Sequence, residues 1–109
     1  MKTSNILGTM SVLAAAALTA HRFTTSAGAV PAAGVWCPGV AADAFDAGEQ
    51  ASLVTHGIKT VESGAAVTLD AEVQTDASGR AIDKAAGIGL GRALDAATAA
   101  GEFIRVKLA

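Results

Sequence analysis

Cysteine, proline, tyrosine and runs of basic charge are what this 109-residue chain has least of. Its one cysteine, Cys37, cannot close an internal disulfide. With only His21 and His56 beside it, the sequence supplies no ligand cluster for a metal, and no metal or other cofactor is expected. Tyrosine is absent and aromatic residues make up 4%, so there is no stacking platform for bases. Lysine and arginine (Lys2, Arg22, Lys59, Arg80, Lys84, Arg92, Arg105 and Lys107) are scattered, and the formal net charge is −2. Such a distribution cannot neutralise a phosphate backbone, which argues against nucleic acid as a partner. No apolar run reaches the roughly 18 to 20 residues that cross a bilayer as a helix, so no membrane partner is expected either.

Alanine is in excess, at roughly a quarter of the chain, inside a hydrophobic total of 51%. The length admits one small domain, and the large apolar side chains available to fill it are few. A fold with so thin a core and no disulfide is expected to draw part of its stability from partners.

Glycine recurs every few residues from Gly28 onward, and the intervals are short and rich in Val, Thr, Ile and Leu. That spacing predicts short strands joined by tight turns. The ending is the clearest case. Ile104, Val106 and Leu108 fall on one face while Arg105 and Lys107 fall on the other, the alternation of a half-buried strand. Alanine favours helix by propensity, but its dense segments, residues 13–20 and 94–100, leave room for one short helix at most.

A weak internal repeat runs at an offset of about 51 to 53 residues. Ala14, Leu18, Thr24 and Gly28 align with Ala65, Leu69, Thr75 and Gly79. Further on, Gly39-Val40-Ala41 aligns with Gly91-Arg92-Ala93, and Ala47-Gly48-Glu49 with Ala100-Gly101-Glu102. The expected fold is therefore mainly β, a small barrel or sandwich of two similar half-units (residues 14–57 and 65–108). It forms a single β domain over residues 14–109, preceded by an extended N-terminal arm of residues 1–13.

No catalytic constellation stands out. Gly87-Ile88-Gly89-Leu90-Gly91 lacks the spacing and the following helix of a dinucleotide loop, and its glycines are read as sites of close strand approach. Asp43, Asp46 and Glu49 do not follow the ligand order of a calcium loop. Cys37 reads as a small buried apolar residue, His21 as a solvent-facing residue of a strand, and His56 lacks triad companions. Trp36, in a Pro-flanked loop, either fills the core or anchors an interface.

Taken in order, Leu18-Thr19-Ala20-His21-Arg22-Phe23-Thr24, Gly39-Val40-Ala41, Ala47-Gly48-Glu49, His56-Gly57, Val61-Glu62-Ser63-Gly64-Ala65 and Asp76-Ala77-Ser78-Gly79-Arg80-Ala81 form one pattern. It ends with Gly91-Arg92-Ala93-Leu94-Asp95-Ala96 and Ala99-Ala100-Gly101-Glu102-Phe103-Ile104. This pattern resembles the head decoration, or capsid cement, proteins of tailed bacteriophages. One departure is Asp70, where that family leads us to expect glycine. The resemblance implies a structural protein made in the host cytoplasm and carried on the outer surface of the virion capsid. There it would bind the major capsid protein and itself, as a homotrimer or less often a dimer, and stabilise contacts between capsid subunits. It implies no enzymatic activity and no cofactor. The residues expected to meet partners are Lys2, Thr3, Ser4, Asn5, Ile6, Leu7, Met10, Val12 and Trp36, with one end of the β domain as part of the same surface. The alternative reading is an exported bacterial β-rich binding protein. Residues 1–20, with Lys2, a semi-apolar stretch and a small-residue end, would then be a signal peptide.

Overall fold

The computed structural model describes residues 4–108. Eight strands follow one another: β1 (Asn5–Leu13), β2 (Phe23–Thr24), β3 (Gly39–Ala41), β4 (Gln50–Glu62), β5 (Glu72–Thr75), β6 (Ala81–Asp83), β7 (Gly91–Ala93) and β8 (Phe103–Leu108). No helix occurs among the described residues. The alanine-dense segments form turns instead, pinned by the isolated bridges Leu18–Phe45 and Val67–Ala97. Both are too short to repay helix nucleation, and their backbone groups find partners across the molecule.

All the named ladders are antiparallel and run in the order β2-β3-β4-β8-β7-β5-β6. The ends of that path approach each other. Ser63, just past β4, bridges Ala81 of β6, and the Phe23 N–H donates to Gly79 O. The result is a nearly closed barrel-like sheet.

The segment expected as an arm is, over residues 5–13, strand β1, paired with β4 from Asn5–Ile58 to Leu13–Gln50. Val54 pairs with Thr9 of β1 on one edge and Val40 of β3 on the other. Gly57 likewise pairs with Ile6 of β1 and Leu108 of β8. β4 is thus the spine of the molecule, flanked by β1 along one edge and by β3 and then β8 along the other. It changes face part-way. Val54 and Val61 lie an odd number of residues apart, yet both enter the main core. The change is made where Gly57 takes φ 100° and the β1 register slips at Gly8. A side chain at Gly57 would collide with the Asn5 carbonyl, so glycine is required there on two counts.

Burial divides into two clusters. The main one fills the barrel with Phe23, Val40, Val54, Val61, Val73, Ile104, Val106 and Leu108 among others. The alternation read from the last strand places Ile104, Val106 and Leu108 there together. The second cluster lies under β1 and comprises Val12, Ala14, Leu18, Ala41, Ala51 and Leu53, with Phe45 against it.

Several backbone features occur twice. Ala14 N–H donates to Glu49 O at 2.9 Å, and Ser63 N–H to Glu102 O at 2.7 Å. Gly48 N–H reaches Ala14 O, and Gly101 N–H reaches Ser63 O, both at 2.8 Å. Leu18 and Phe45 exchange two bonds, as do Val67 and Ala97. His21 N–H donates to Ala41 O and Asp70 N–H to Ala93 O. His21 and Asp70 are also the two non-glycine residues with positive φ, at 65° and 64°. In this pattern Leu18 answers to Val67, two residues before the Leu69 that sequence comparison set against it, because runs of alanine give an alignment no register. His21 likewise sits in a turn just before β2, not in a strand. Asp70, where the resemblance led us to expect glycine, takes the left-handed conformation that glycine favours.

Candidate functional site

β1 is the strand whose side chains the fold uses least. Leu7 is 77% exposed, Leu13 59%, Ile6 49% and Met10 37%. Val12 differs: at 8% exposed it belongs to the second core cluster, so its side chain packs inward and cannot meet a partner. Ser4 and Asn5 are exposed, and the Ser4 hydroxyl accepts the Thr60 N–H at 3.1 Å, fixing the start of β1 against β4. Lys2 and Thr3 lie outside the described residues.

The backbone of β1 is half used as well. Among the described residues β1 pairs with β4 alone, which leaves its outer edge of N–H and C=O groups without a strand. Residues 5–13 contain no charge and no proline, two of the devices that blunt such an edge, and its only irregularity is the register slip at Gly8.

A second exposed apolar surface lies where two loops meet. Ile88 N–H donates to Gly34 O at 2.9 Å, and Gly87 and Gly34 come so close that a Cβ on Gly87 would sit 2.5 Å from the Gly34 Cα. This junction brings Val35 (37% exposed), Trp36 (57%) and Ile88 (49%) to the surface. Trp36 is therefore a surface residue, lining a shallow hollow with Cys37, Pro38, Thr55 and Leu108. Close approach also explains Gly91, where a Cβ would crowd the Val106 side chain and the Lys107 carbonyl. Sequence reasoning picked out Trp36 but missed Val35, Ile88 and Leu13. Leu13 was missed because it breaks any alternation with Met10 and Val12 and runs straight into the alanines that follow.

The polar groups hold the barrel seam. Arg22 bonds Glu62 through Nε at 3.2 Å and Nη2 at 3.4 Å, and Arg80 lies 3.7 Å from the same carboxylate and 3.4 Å from Asp76. Asp76 caps its own turn by accepting the N–H groups of Ser78 and Arg80. Beside this network Lys59, 4% exposed, donates to His21 Nδ1 at 2.7 Å, and the His21 and Phe103 rings meet in a T-shaped contact with centroids 5.4 Å apart. Burial lowers the pKa of both groups, and in His21 the Lys59 ammonium adds to the lowering. His21 is thus held neutral as an acceptor. Burial pushes the Cys37 thiol up to about 12, so it stays protonated and unreactive at neutral pH. No group of three or more His, Cys, Asp or Glu among the described residues could hold a metal ion. Among the described residues the arrangement offers apolar surfaces for contact.

Comparison with known proteins agrees. Residues 2–108 match the phage cement protein family. The chain belongs to that family. It is a structural protein of the phage head and not an enzyme. A comparison with curated protein sequences finds no match. Among solved structures, the fold is similar to the head fiber gp8.5 N base of bacteriophage phi29, with a TM-score of 0.75 and 18% identity over 94% of this chain and 93% of that one. At that identity the likeness is one of fold.

Proposed function

We propose that this cement-family chain decorates the outer surface of a phage head and stabilises contacts between neighbouring major capsid subunits. The observation that supports this best is the large apolar surface left unused inside so small a chain. It lies on Ile6, Leu7, Met10 and Leu13 of β1 and on Val35, Trp36 and Ile88 at the loop junction. Ser4 and Asn5 extend the first surface, and Lys2 and Thr3 precede it in sequence. Self-association, as a homotrimer or a dimer, is part of this reading.

The physical argument is one of avidity. A head presents many equivalent sites, so each copy needs only a modest contact for the shell to gain much resistance to internal pressure. The alternative of an exported protein fits less well. Removing residues 1–20 would strip β1 from β4 and take Val12, Ala14 and Leu18 out of the second core cluster. The test is co-sedimentation with cognate heads. The wild-type chain should pellet with them and raise the temperature at which they release DNA, and Trp36→Ala should weaken binding at least tenfold. Undiminished binding by Trp36→Ala would remove the loop junction from the contact, and no binding by the wild type would overturn the reading.

A further inference from the structure

We propose, on the reading of the loop junction as a contact with the head, that the partner element covering Trp36 carries an acidic residue whose carboxylate seats between Arg92 and Lys107. The chain pairs most of its other cations internally. Arg22 and Arg80 share Glu62, Arg80 also reaches Asp76, and Arg105 is held by Asp95. Lys59 is buried against His21. Lys84, Arg92 and Lys107 are exposed, and among the described residues none of them has a carboxylate partner.

Strand register gathers these three into one row. Arg92 of β7 faces Lys107 of β8 on one side and Glu72 of β5 on the other. The Lys84 N–H donates to Glu72 O at 2.9 Å, which sets Lys84 at the end of the row. Neighbouring strands lie about 4.8 Å apart, so the row spans roughly 14 Å of the outer face. Three cations against one carboxylate give it a formal +2, in a chain whose total is −2. Like charges directly opposite on paired strands oppose the pairing, and a carboxylate between Arg92 and Lys107 would turn that cost into attraction. Arg92 Nη1 donates to Asp70 O at 3.1 Å, which steadies the guanidinium and leaves its other N–H groups for a ligand.

Space for the ligand is present. Glu72, Gly89, Gly91, Arg92, Lys107 and Leu108 line a hollow of about 240 Å³. Its own carboxylate, Glu72, lies against Gly89, where a Cβ would collide with it. Gly89 and Leu108 also line the hollow beside Trp36, so the two surfaces are continuous. Val35, Trp36 and Ile88 then form an apolar centre with Arg92 and Lys107 at its margin. In such contacts the apolar centre supplies adhesion, and the marginal charges select the partner and its orientation. Glu72 within the row repels the unbroken charge of a nucleic-acid backbone, which favours a protein carboxylate over phosphate.

The test is co-sedimentation of the full-length chain with cognate heads across a salt series. Wild-type binding should weaken as salt rises, because marginal charges are screened. Arg92→Gln with Lys107→Gln should bind about tenfold more weakly at low salt and lose most of that salt dependence. It should keep the wild-type melting temperature, since a like-charge pair is relieved and only the exposed bond to Asp70 O is lost. Ala99→Glu with Ala100→Glu shifts the net charge equally in the exposed turn before β8, at the opposite end of that strand from Lys107, and should bind as wild type does. Undiminished binding by the Arg92 and Lys107 variant overturns the proposal and leaves the contact through Trp36 standing. Equal losses in both charge variants overturn it too, since net charge alone would then be acting, and a marked fall in melting temperature would make the pair structural. Retention of duplex DNA of about 20 bp by the wild type at physiological salt would assign the row to phosphate instead. If the wild type does not bind heads, the reading of the loop junction falls and this proposal with it.

Discussion

β1 and β8 stand on opposite edges of β4, and they are built by different rules. β8 has both edges taken, by β4 and β7, and one face buried through Ile104, Val106 and Leu108. Its outward face carries Arg105, held by Asp95 at 3.0 Å, and Lys107. β1 has one edge taken, a single buried side chain in Val12, and apolar residues where β8 has charges. β8 is largely explained by the chain it belongs to, although its first residue, Phe103, is 47% exposed. β1 is not, and its surplus of exposed apolar side chains is what the proposed contact with neighbours would use. Under the proposed function, stability within the chain and adhesion to neighbours fall to different strands on the same spine.

The contrast can be broken most forcefully from the β8 side. Ile104→Ala, in the fully buried main core, should cost about 2–5 kcal/mol in denaturant unfolding. A loss below 1 kcal/mol would mean the core is looser than the buried contacts imply. Next in size is Gly57→Ala, which puts a side chain at φ 100° against the Asn5 carbonyl. It should cost about 1–3 kcal/mol and speed hydrogen exchange in β1 before β8; equal acceleration in both strands would argue that they are not separable.

A pH series sharpens the picture at the seam. His21 is held below its ordinary 6.5 by burial first and by the Lys59 ammonium second. The unfolded chain therefore takes up this proton before the folded one does. The stability linked to His21 should be complete above about pH 6.5 and decline as the pH falls toward the folded value. Melting temperature should be level from pH 8 to 7 and drop as the pH falls below about 6.5, with a shallower drop in Lys59→Met. A profile unchanged by Lys59→Met would show that burial alone sets the shift. The smallest effect belongs to β1: Leu7→Lys should alter stability by no more than about 0.5 kcal/mol, since Leu7 is largely solvated already.

Legibility in the sequence followed the same division. The β8 alternation, the glycine turns at Gly48 and Gly101, and the buried Cys37 could be read directly, because each is dictated by neighbours within the chain. β1 was read as an arm because an edge strand with exposed apolar residues on both faces has no period-2 signal to announce it. His21 was placed in a strand because nothing local forecasts a left-handed histidine; its partners Ala41 and Lys59 come from β3 and β4. Val35 and Ile88 were missed since their loops meet only in space, through the Gly34–Gly87 approach and the Ile88 N–H bond to Gly34 O.

The most direct test of the central claim is quantitative co-sedimentation with cognate heads of three chains that differ in one surface each: wild type, Trp36→Ala with Ile88→Ala, and Ile104→Val as a core control. The account predicts saturable binding by the wild type and the core control, with at least a tenfold loss when the loop surface is removed. Equal binding by all three, or none by the folded wild type, would contradict it.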